Sequence, residues 1–170
     1  MKNFHLNHYE RAFGNWLIDN KVQYIAVDEQ KRAALGRSNI KSFDYLLYPP
    51  GDSIIVAEVK GRKFKGTSLE KLTGLECWVS TDDIEGLSKW QEIFGPTHQA
   101  TFIFAYHIVK PDFDPDGREI YEYKGRKYVF FCVKLDHYIK HIKQRSPKWK
   151  TVTIPAEKFR NNAVQMQNLF

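Results

Sequence analysis

Hydrophobic and polar residues in the first half of the chain alternate in patterns that predict a helix followed by three strands. Over residues 7–20 the apolar side chains recur at about 100° per residue, which predicts an amphipathic helix with Asn7 as its N-cap. Residues 22–27 form a short apolar run typical of a strand. Residues 43–60 form two runs rich in aromatic and β-branched residues, separated by a Pro-Pro-Gly-Asp turn. This order predicts a helix packed against a sheet whose second and third strands form a hairpin.

The second half of the chain predicts a second helix and a long buried strand. Thr81 is a suitable N-cap, Asp82 and Asp83 suit a first helical turn, and Gly95 suits a helix end. The nearly continuous apolar run 100–109 is typical of a central strand buried on both faces. The remaining elements predicted are a hairpin over 120–134, a helix over 136–144, an edge strand over 151–155 and a helix over 156–167. With 170 residues, the chain is expected to form one α/β domain over residues 1–170.

Charged side chains interrupt the hairpin strands at one end of the predicted sheet. Side chains alternate along a strand, so Glu58 and Lys60 share a face, and Asp44 begins the partner strand. A hairpin pairs the start of its first strand with the end of its second, which places Asp44 near both. Two carboxylates about 4 Å apart repel by about 4 kcal/mol at an effective dielectric near 20, so this cluster favours Mg²⁺ or Mn²⁺. An ion pair between Lys60 and one carboxylate, capping the sheet edge, is the alternative.

The Asp, hairpin and Glu-x-Lys order resembles the PD-(D/E)xK nuclease superfamily, which has the restriction-endonuclease-like fold. The matching residues are Asp44 and Glu58-Val59-Lys60, with Phe43 where the superfamily's name has proline. The predicted helix, three strands, helix and strand are similar to the superfamily core, and the opening segment HYERAF resembles a group of uncharacterised bacterial members. The resemblance covers roughly residues 5–108 and implies an α/β fold with a central mixed sheet flanked by helices. The C-terminal hairpin and helices predicted from the sequence pattern follow this core.

The resemblance also implies a catalytic site with a divalent metal. Asp44 and Glu58 would bind Mg²⁺ or Mn²⁺, and Lys60 would orient or deprotonate the attacking water or stabilise charge on phosphorus. Glu10 lies within the apolar arc of the first helix, where many members, including archaeal Holliday-junction resolvases, carry a metal-facing Glu. A solvent-exposed or neighbour-paired Glu10 is the alternative. Gln91 resembles a supporting Gln of resolvase-like members, and the alternative is an amide bonded to backbone carbonyls.

Charge favours a polyanionic partner. The chain has a net charge of +6 and a pI near 9.2, and 15% of its residues are aromatic. Basic residues precede Asp44, follow Lys60 and fill the segment 138–150. The predicted nucleic-acid contacts are Arg37, Lys41, Arg62, Lys63, Lys65, Arg145, Lys148 and Lys150. For each segment a solvated basic surface is the alternative.

The resemblance, together with the charge pattern, implies a metal-dependent endonuclease that hydrolyses phosphodiester bonds in DNA. A nucleic-acid-binding module of the same fold that does not cleave, and an RNA endonuclease, are the alternatives. No apolar run approaches the length of a membrane span and no signal-peptide pattern is present, so a cytoplasmic protein without a membrane partner is expected. Cys77 and Cys132 are expected to be reduced and buried. The oligomeric state is open, with a homodimer as one option.

Overall fold

Two β-sheets and four α-helices make up the part of the chain that the structure describes. The computed structural model describes residues 7–27, 40–71 and 74–170. The helices are α1 (His8–Asp19), α2 (Thr81–Phe94), α3 (Leu135–Lys140) and α4 (Ala156–Asn162), with a final 3-10 helix over Met166–Leu169. The strands are β1 (Gln23–Ala26), β2 (Tyr45–Tyr48), β3 (Ile54–Phe64), β4 (Val79–Ser80), β5 (His98–Ile108), β6 (Tyr121–Tyr123), β7 (Arg126–Lys134), β8 (Lys143–Ser146), β9 (Thr151–Thr153) and β10 (Val164–Gln165). Within these residues, no helix is long and apolar enough to cross a membrane.

The main sheet has the order β1-β2-β3-β5-β7-β10, with β6 paired to the side of β7. Strands β3 and β5 pair in parallel, and all other neighbouring strands of the main sheet pair antiparallel, so the sheet is mixed. Strands β3 and β5 lie in its middle, and their apolar side chains enter hydrophobic cores on both faces. The prediction of two central strands buried on both sides is therefore confirmed.

Helix α1 covers one face of the main sheet. The side chain of Asn7 accepts a hydrogen bond from the Glu10 backbone N–H at 3.0 Å, which confirms the predicted N-cap. The helix buries Phe13, Trp16 and neighbouring apolar residues in this core. Gly61 of β3 lies directly under the ring of Tyr9, where any side chain would clash. The close approach fixes the start of α1 against the end of β3.

Helices α2, α3 and α4 contribute to the hydrophobic core on the opposite face. Tyr138 of α3 and Phe159 of α4 are both fully buried in this core. Cys77 belongs to it as well, while Cys132 lies in the core on the α1 side. Both cysteines are free and buried, as expected.

A small second sheet of order β4-β9-β8 replaces part of a predicted helix. The helix expected over 136–144 ends at Lys140, and residues 143–146 form β8, which pairs with β9. The helix expected over 156–167 likewise ends at Asn162, and β10 pairs with β7. Both predictions were wrong in extent because tertiary strand pairing outweighs the weak helical pattern of short polar segments.

Candidate active site

Asp44 immediately precedes β2, and Glu58 lies in the middle of the neighbouring strand β3. The antiparallel register pairs Tyr45 with Ala57, and the Asp44 backbone N–H donates to the Ala57 carbonyl at 2.9 Å. Continuing that register sets Asp44 opposite Glu58. The Asp44 Oδ2 atom accepts a hydrogen bond from the Val59 N–H at 2.7 Å. The predicted closeness of Asp44 to Glu58 is confirmed, but the predicted position at the end of the strand is wrong, because β3 continues for six residues beyond Glu58.

Glu58 is a buried carboxylate between a like charge and two lysines. Its residue is only 8% exposed, and its Oε1 lies 3.2 Å from Lys60 Nζ and 3.7 Å from Lys41 Nζ. Burial raises the pKa of Glu58 to about 7, and the charge of Asp44 adds to the shift, while Lys60 and Lys41 oppose it. The two ammonium groups therefore compensate the buried negative charge only in part.

Asp83 is a third carboxylate of this cluster, and sequence reasoning missed it. It is 5% exposed, and its Oδ1 contacts both Lys60 Nζ, at 2.8 Å, and Lys41 Nζ. Its Oδ2 accepts from the Ser80 N–H at 2.9 Å, and Ser80 Oγ accepts from the Asp83 N–H at 3.0 Å. This reciprocal pair is a capping box. The N-cap of α2 is therefore Ser80. The sequence-based prediction of Thr81 as the N-cap was wrong.

Opposing influences set the ionisation of Asp83. Burial favours its neutral form, but Lys60 and hydrogen bonds from Lys41, Lys60 and the Ser80 N–H outweigh burial and lower its pKa to about 2. A signal for this residue did exist in the sequence. At about 100° per residue, Asp83 lies about 40° from Leu87 on the helical wheel, within the apolar face of α2.

Lys41 was predicted to contact nucleic acid, and in the structure its ammonium group contacts the carboxylates of Glu58 and Asp83. Burial works against its charge, but hydrogen bonding to Asp83 and the charges of Asp83 and Glu58 prevail and raise the pKa of Lys41. Its carbonyl accepts from Trp90 Nε1 at 2.8 Å, which fixes the backbone before β2 against α2. Contact of Lys41 with a phosphate stays a prediction, and its ammonium already has two carboxylate partners, Glu58 and Asp83.

The acidic residues fit a Mg²⁺ ion in one respect and not in another. Within residues 7–27, 40–71 and 74–170, no three or more His, Cys, Asp or Glu side chains group as a metal site. The predicted set of Asp44, Glu58 and Glu10 is therefore not assembled as three ligands. However, Mg²⁺ is commonly held by one or two carboxylates with water and substrate phosphate. Asp44 and Glu58 meet that requirement, and their repulsion is what a cation would relieve.

Glu10 lies at the start of α1. Its Oε1 accepts a hydrogen bond from Asn7 Nδ2 at 3.1 Å. Burial is the main cause that raises the pKa of Tyr45, and the charges of Asp44 and Glu10 both add to it. Glu10 thus acts electrostatically on the same buried tyrosine as Asp44, and its role as a metal ligand stays a prediction.

Gln91 lies near the C-terminal end of α2. Its Nε2 donates to the carbonyls of Gly95 and His98, at 3.1 and 2.5 Å, and its Oε1 accepts from the Ala100 N–H at 2.7 Å. This is the backbone-bonded arrangement that the sequence left open as the alternative. Gln91 lies eight positions after Asp83 in the helix, about 12 Å along the axis. Gln91 holds the start of β5, and a part in catalysis stays a prediction.

Two of the predicted phosphate-binding arginines pack on one tryptophan. The Arg62 guanidinium lies 3.7 Å from the centre of the Trp78 ring and donates to the carbonyls of Gly61 and Trp78. Arg145 lies 4.9 Å from the centre of the same ring. Burial lowers the pKa of Arg62. Arg62 is therefore a structural cation that anchors Trp78, and its predicted contact with phosphate has no support from these contacts.

The other predicted phosphate contacts are on the surface or outside the described residues. Lys63 and Lys65 are exposed on and just after β3, beyond the carboxylate cluster. Lys148 and Lys150 are exposed in the loop between β8 and β9. Arg37 lies outside the described residues. Binding of nucleic acid by these side chains stays a prediction.

The raised pKa of Glu58 predicts an unusual pH dependence of stability. A carboxyl whose pKa rises from 4.5 to about 7 on folding binds more protons in the folded state, so stability falls as pH rises through that window. The loss is at most about 3 kcal/mol. Chemical unfolding of wild type between pH 5 and 8 should show this decline, and Glu58→Gln should lack it. A parallel decline in both proteins would assign the effect to another group.

The fold is similar to that of a known resolvase. The structure of the Holliday junction resolvase Hjc from Archaeoglobus fulgidus, an archaeal hyperthermophile, matches with a TM-score of 0.50 and 17% sequence identity. The match covers 94% of this chain and 95% of the resolvase chain. It confirms the predicted α/β fold of restriction-endonuclease-like type. No protein-family model and no curated protein matches the chain, so the resemblance of the HYERAF segment to an uncharacterised group has no support there.

Proposed function

We propose that this protein is an endonuclease that depends on a divalent metal and hydrolyses phosphodiester bonds in DNA. One observation carries the proposal. Asp44, Glu58 and Lys60 converge beside the middle of β3, with Glu58 buried and incompletely neutralised. A buried carboxylate whose pKa is strongly shifted by burial and by a neighbouring charge is typical of a functional site. The likeness of the fold to that of a Holliday junction resolvase supports the same reading.

Asp44 and Glu58 would hold the metal. When bound, Mg²⁺ or Mn²⁺ polarises a phosphoryl oxygen and lowers the pKa of a coordinated water. The protein's own part is to hold both carboxylates in place and to oppose, in part, the protonation of Glu58. The Val59 N–H orients Asp44 through its 2.7 Å hydrogen bond, and Lys60 and Lys41 favour the charged form of Glu58.

Lys60 would act on the water or on the phosphoryl group. Its Nζ lies 3.2 Å from Glu58 and 2.8 Å from Asp83, and its side chain retains 14% exposure. The two carboxylates hold the ammonium at the edge of the cluster, where it can donate to an attacking water or to oxygen on which charge develops. Asp83 is then a positioning residue for Lys60.

Asp83→Asn tests that positioning role. The amide oxygen can still accept from the Ser80 N–H, so the helix cap survives, but the ion pairs with Lys60 and Lys41 are lost. We expect a stability loss on the order of 3 kcal/mol. We also expect a single-turnover rate lower by roughly 10- to 100-fold, because Lys60 is no longer fixed. Cleavage should be measured well below the unfolding temperature, with substrate affinity determined separately.

Asp82→Asn is the matched control for this variant. Asp82 lies in the same first turn of α2 but is exposed. It should change neither the rate nor the stability appreciably. If Asp83→Asn is destabilised and yet cleaves at the wild-type rate, Asp83 only stabilises the fold.

A second candidate is a nucleic-acid-binding module that does not cleave. The observation in its favour is that Lys41 and Lys60 already contact Glu58 and Asp83, so the cluster has cations of its own. Metal titration separates the two candidates. A metal-dependent enzyme should be stabilised by Mn²⁺ in thermal unfolding, and Glu58→Gln should remove that stabilisation. If neither Mg²⁺ nor Mn²⁺ raises the unfolding temperature of wild type, the binding module is favoured.

The nucleic acid is tested by cleavage of matched DNA and RNA duplexes under the same conditions. The proposal expects the DNA duplex, or a branched or nicked form of it, to be cut in a metal-dependent reaction. Cleavage confined to RNA would replace the DNA endonuclease with an RNA endonuclease and leave the site assignment intact.

A further inference from the structure

The loop over residues 147–150 presents an exposed aromatic ring between two lysines. Trp149 is 69% exposed, whereas the other three tryptophans are buried or half-buried. Lys148 Nζ lies 5.2 Å from the centre of the Trp149 ring, and Lys150 follows in the chain. The loop is closed by its own hydrogen bonds, from the Trp149 N–H to Ser146 Oγ and from the Lys150 N–H to the Pro147 carbonyl. The ring is therefore displayed by a defined turn.

Strand pairing connects this loop to the carboxylate cluster. Thr151 pairs with Ser80, and the Thr81 N–H donates to the Lys150 carbonyl at 2.9 Å. Ser80 in turn caps α2 through Asp83. Two residues of chain and one strand pairing separate Trp149 from Ser80, so their Cα atoms lie within about 13 Å of each other. A nucleic-acid strand rises about 3.4 Å per stacked nucleotide, so this distance corresponds to a few nucleotides.

The surroundings of the loop in sequence are uniformly basic. Between Asp136 and Glu157 the chain has no acidic residue. The cations in that interval are Lys140, Lys143, Arg145, Lys148 and Lys150. Charge complementarity therefore favours a polyanion as the occupant of this surface.

We propose that Trp149 stacks on an unpaired base while Lys148 and Lys150 contact the flanking phosphates. The inference rests on the proposed function, and it narrows the substrate to nucleic acid with an unstacked nucleotide near the scissile phosphate. In an intact duplex, neighbouring bases cover both faces of each base. A single strand, a flap or a frayed end leaves a face open to an aromatic ring.

A lipid surface is the other class of partner that tryptophan and lysine together can suit. The connection of the loop to Ser80 favours nucleic acid, because Ser80 caps the helix that carries Asp83, and Asp83 contacts Lys60 of the proposed nuclease site. Vesicles containing phosphatidylserine therefore serve as one arm of the test.

The experiment measures binding without metal, in EDTA, so that no cleavage occurs. Wild type, Trp149→Ala and Trp149→Phe are titrated with a short single-stranded oligonucleotide and with a blunt hairpin duplex. Fluorescence anisotropy gives affinity, and quenching of tryptophan emission reports stacking. Ile25→Ala is the control, because it removes another exposed apolar side chain, 52% exposed, from the edge strand β1.

Trp149→Ala should weaken single-strand binding by roughly 5- to 100-fold, the range that base–aromatic stacking supplies. Its duplex binding should change far less. Trp149→Phe should retain most of the affinity, and Ile25→Ala should behave as wild type. Quenching by the single strand should disappear in both Trp149 variants.

Three results would overturn the inference. They are equal losses on both nucleic acids, no loss on the single strand, and loss confined to the vesicles. The proposed nuclease function is tested separately. If wild type binds single strands through Trp149 but never cleaves them, the proposed nuclease activity is refuted and the stacking by Trp149 is not. If wild type cleaves and Trp149→Ala binds single strands as tightly as wild type, the stacking by Trp149 is refuted and the nuclease activity is not.

Discussion

Asp44→Asn and Glu58→Gln should each reduce metal-dependent cleavage by at least about a thousandfold, because each removes a charged ligand from a metal that contributes several kcal/mol. The amide at position 44 can still accept from the Val59 N–H, so the backbone of β3 stays satisfied. Folding should survive and stability at neutral pH should hold or rise, since Asp44 and Glu58 repel each other in the folded protein. Single-turnover cleavage and chemical unfolding on the same preparations check both expectations.

Asp52→Asn is a control for these two variants. Asp52 is an exposed carboxylate in the turn between β2 and β3, six positions before Glu58. It should cleave and unfold as wild type does. A wild-type cleavage rate in either Asp44→Asn or Glu58→Gln would show that the metal does not depend on that carboxylate.

Lys60→Met should lower the single-turnover rate by about 10²- to 10³-fold, the loss typical when one donor to a developing charge is removed. Substrate affinity should change little, because one cation among many basic residues adds little to binding. Stability should also fall by a few kcal/mol, because Glu58 and Asp83 lose a close partner. Methionine keeps the length and the apolar stem, so packing around the stem should be retained.

Lys41→Met separates catalysis from simple neutralisation. Lys41 contacts the same two carboxylates, but it precedes β2 and its side chain is 41% exposed. If Lys60 has a chemical role, Lys41→Met should be destabilised and still cleave much faster than Lys60→Met. Equal cleavage by the two variants, at equal folded fractions, would reduce Lys60 to a second neutralising cation.

The parts of the fold with strong local patterns could be predicted from sequence. Helix α1 has a cap and a clear apolar stripe, and β5 is almost continuously apolar. The hairpin of β2 and β3 also follows from its turn and flanking runs. Residues 143–146 and 164–165 could not be predicted, because their strand structure depends on pairing with β9 and β7.

In the candidate site too, features set by local sequence could be predicted, and features set by tertiary contacts could not. The closeness of Asp44 to Glu58 follows from hairpin geometry, so sequence was sufficient. Asp83 was missed because its partners, Lys41 and Lys60, are distant in sequence and meet it only when α2 packs on the sheet. The packing of Arg62 on Trp78 is likewise a tertiary contact, and nothing in a basic run after a strand distinguishes it from a solvent-exposed cation.

The central claim is that Asp44, Glu58 and Lys60 form a metal-dependent nuclease site. The most direct test is single-turnover cleavage of linear, nicked, branched and single-stranded DNA by wild type and Asp44→Asn, with Mg²⁺, with Mn²⁺ and with EDTA. We expect wild type to cut at least one of these DNAs with metal and none with EDTA, and Asp44→Asn to cut none. Absence of wild-type cleavage on every DNA with both metals, or cleavage that persists unchanged in Asp44→Asn, would contradict the claim.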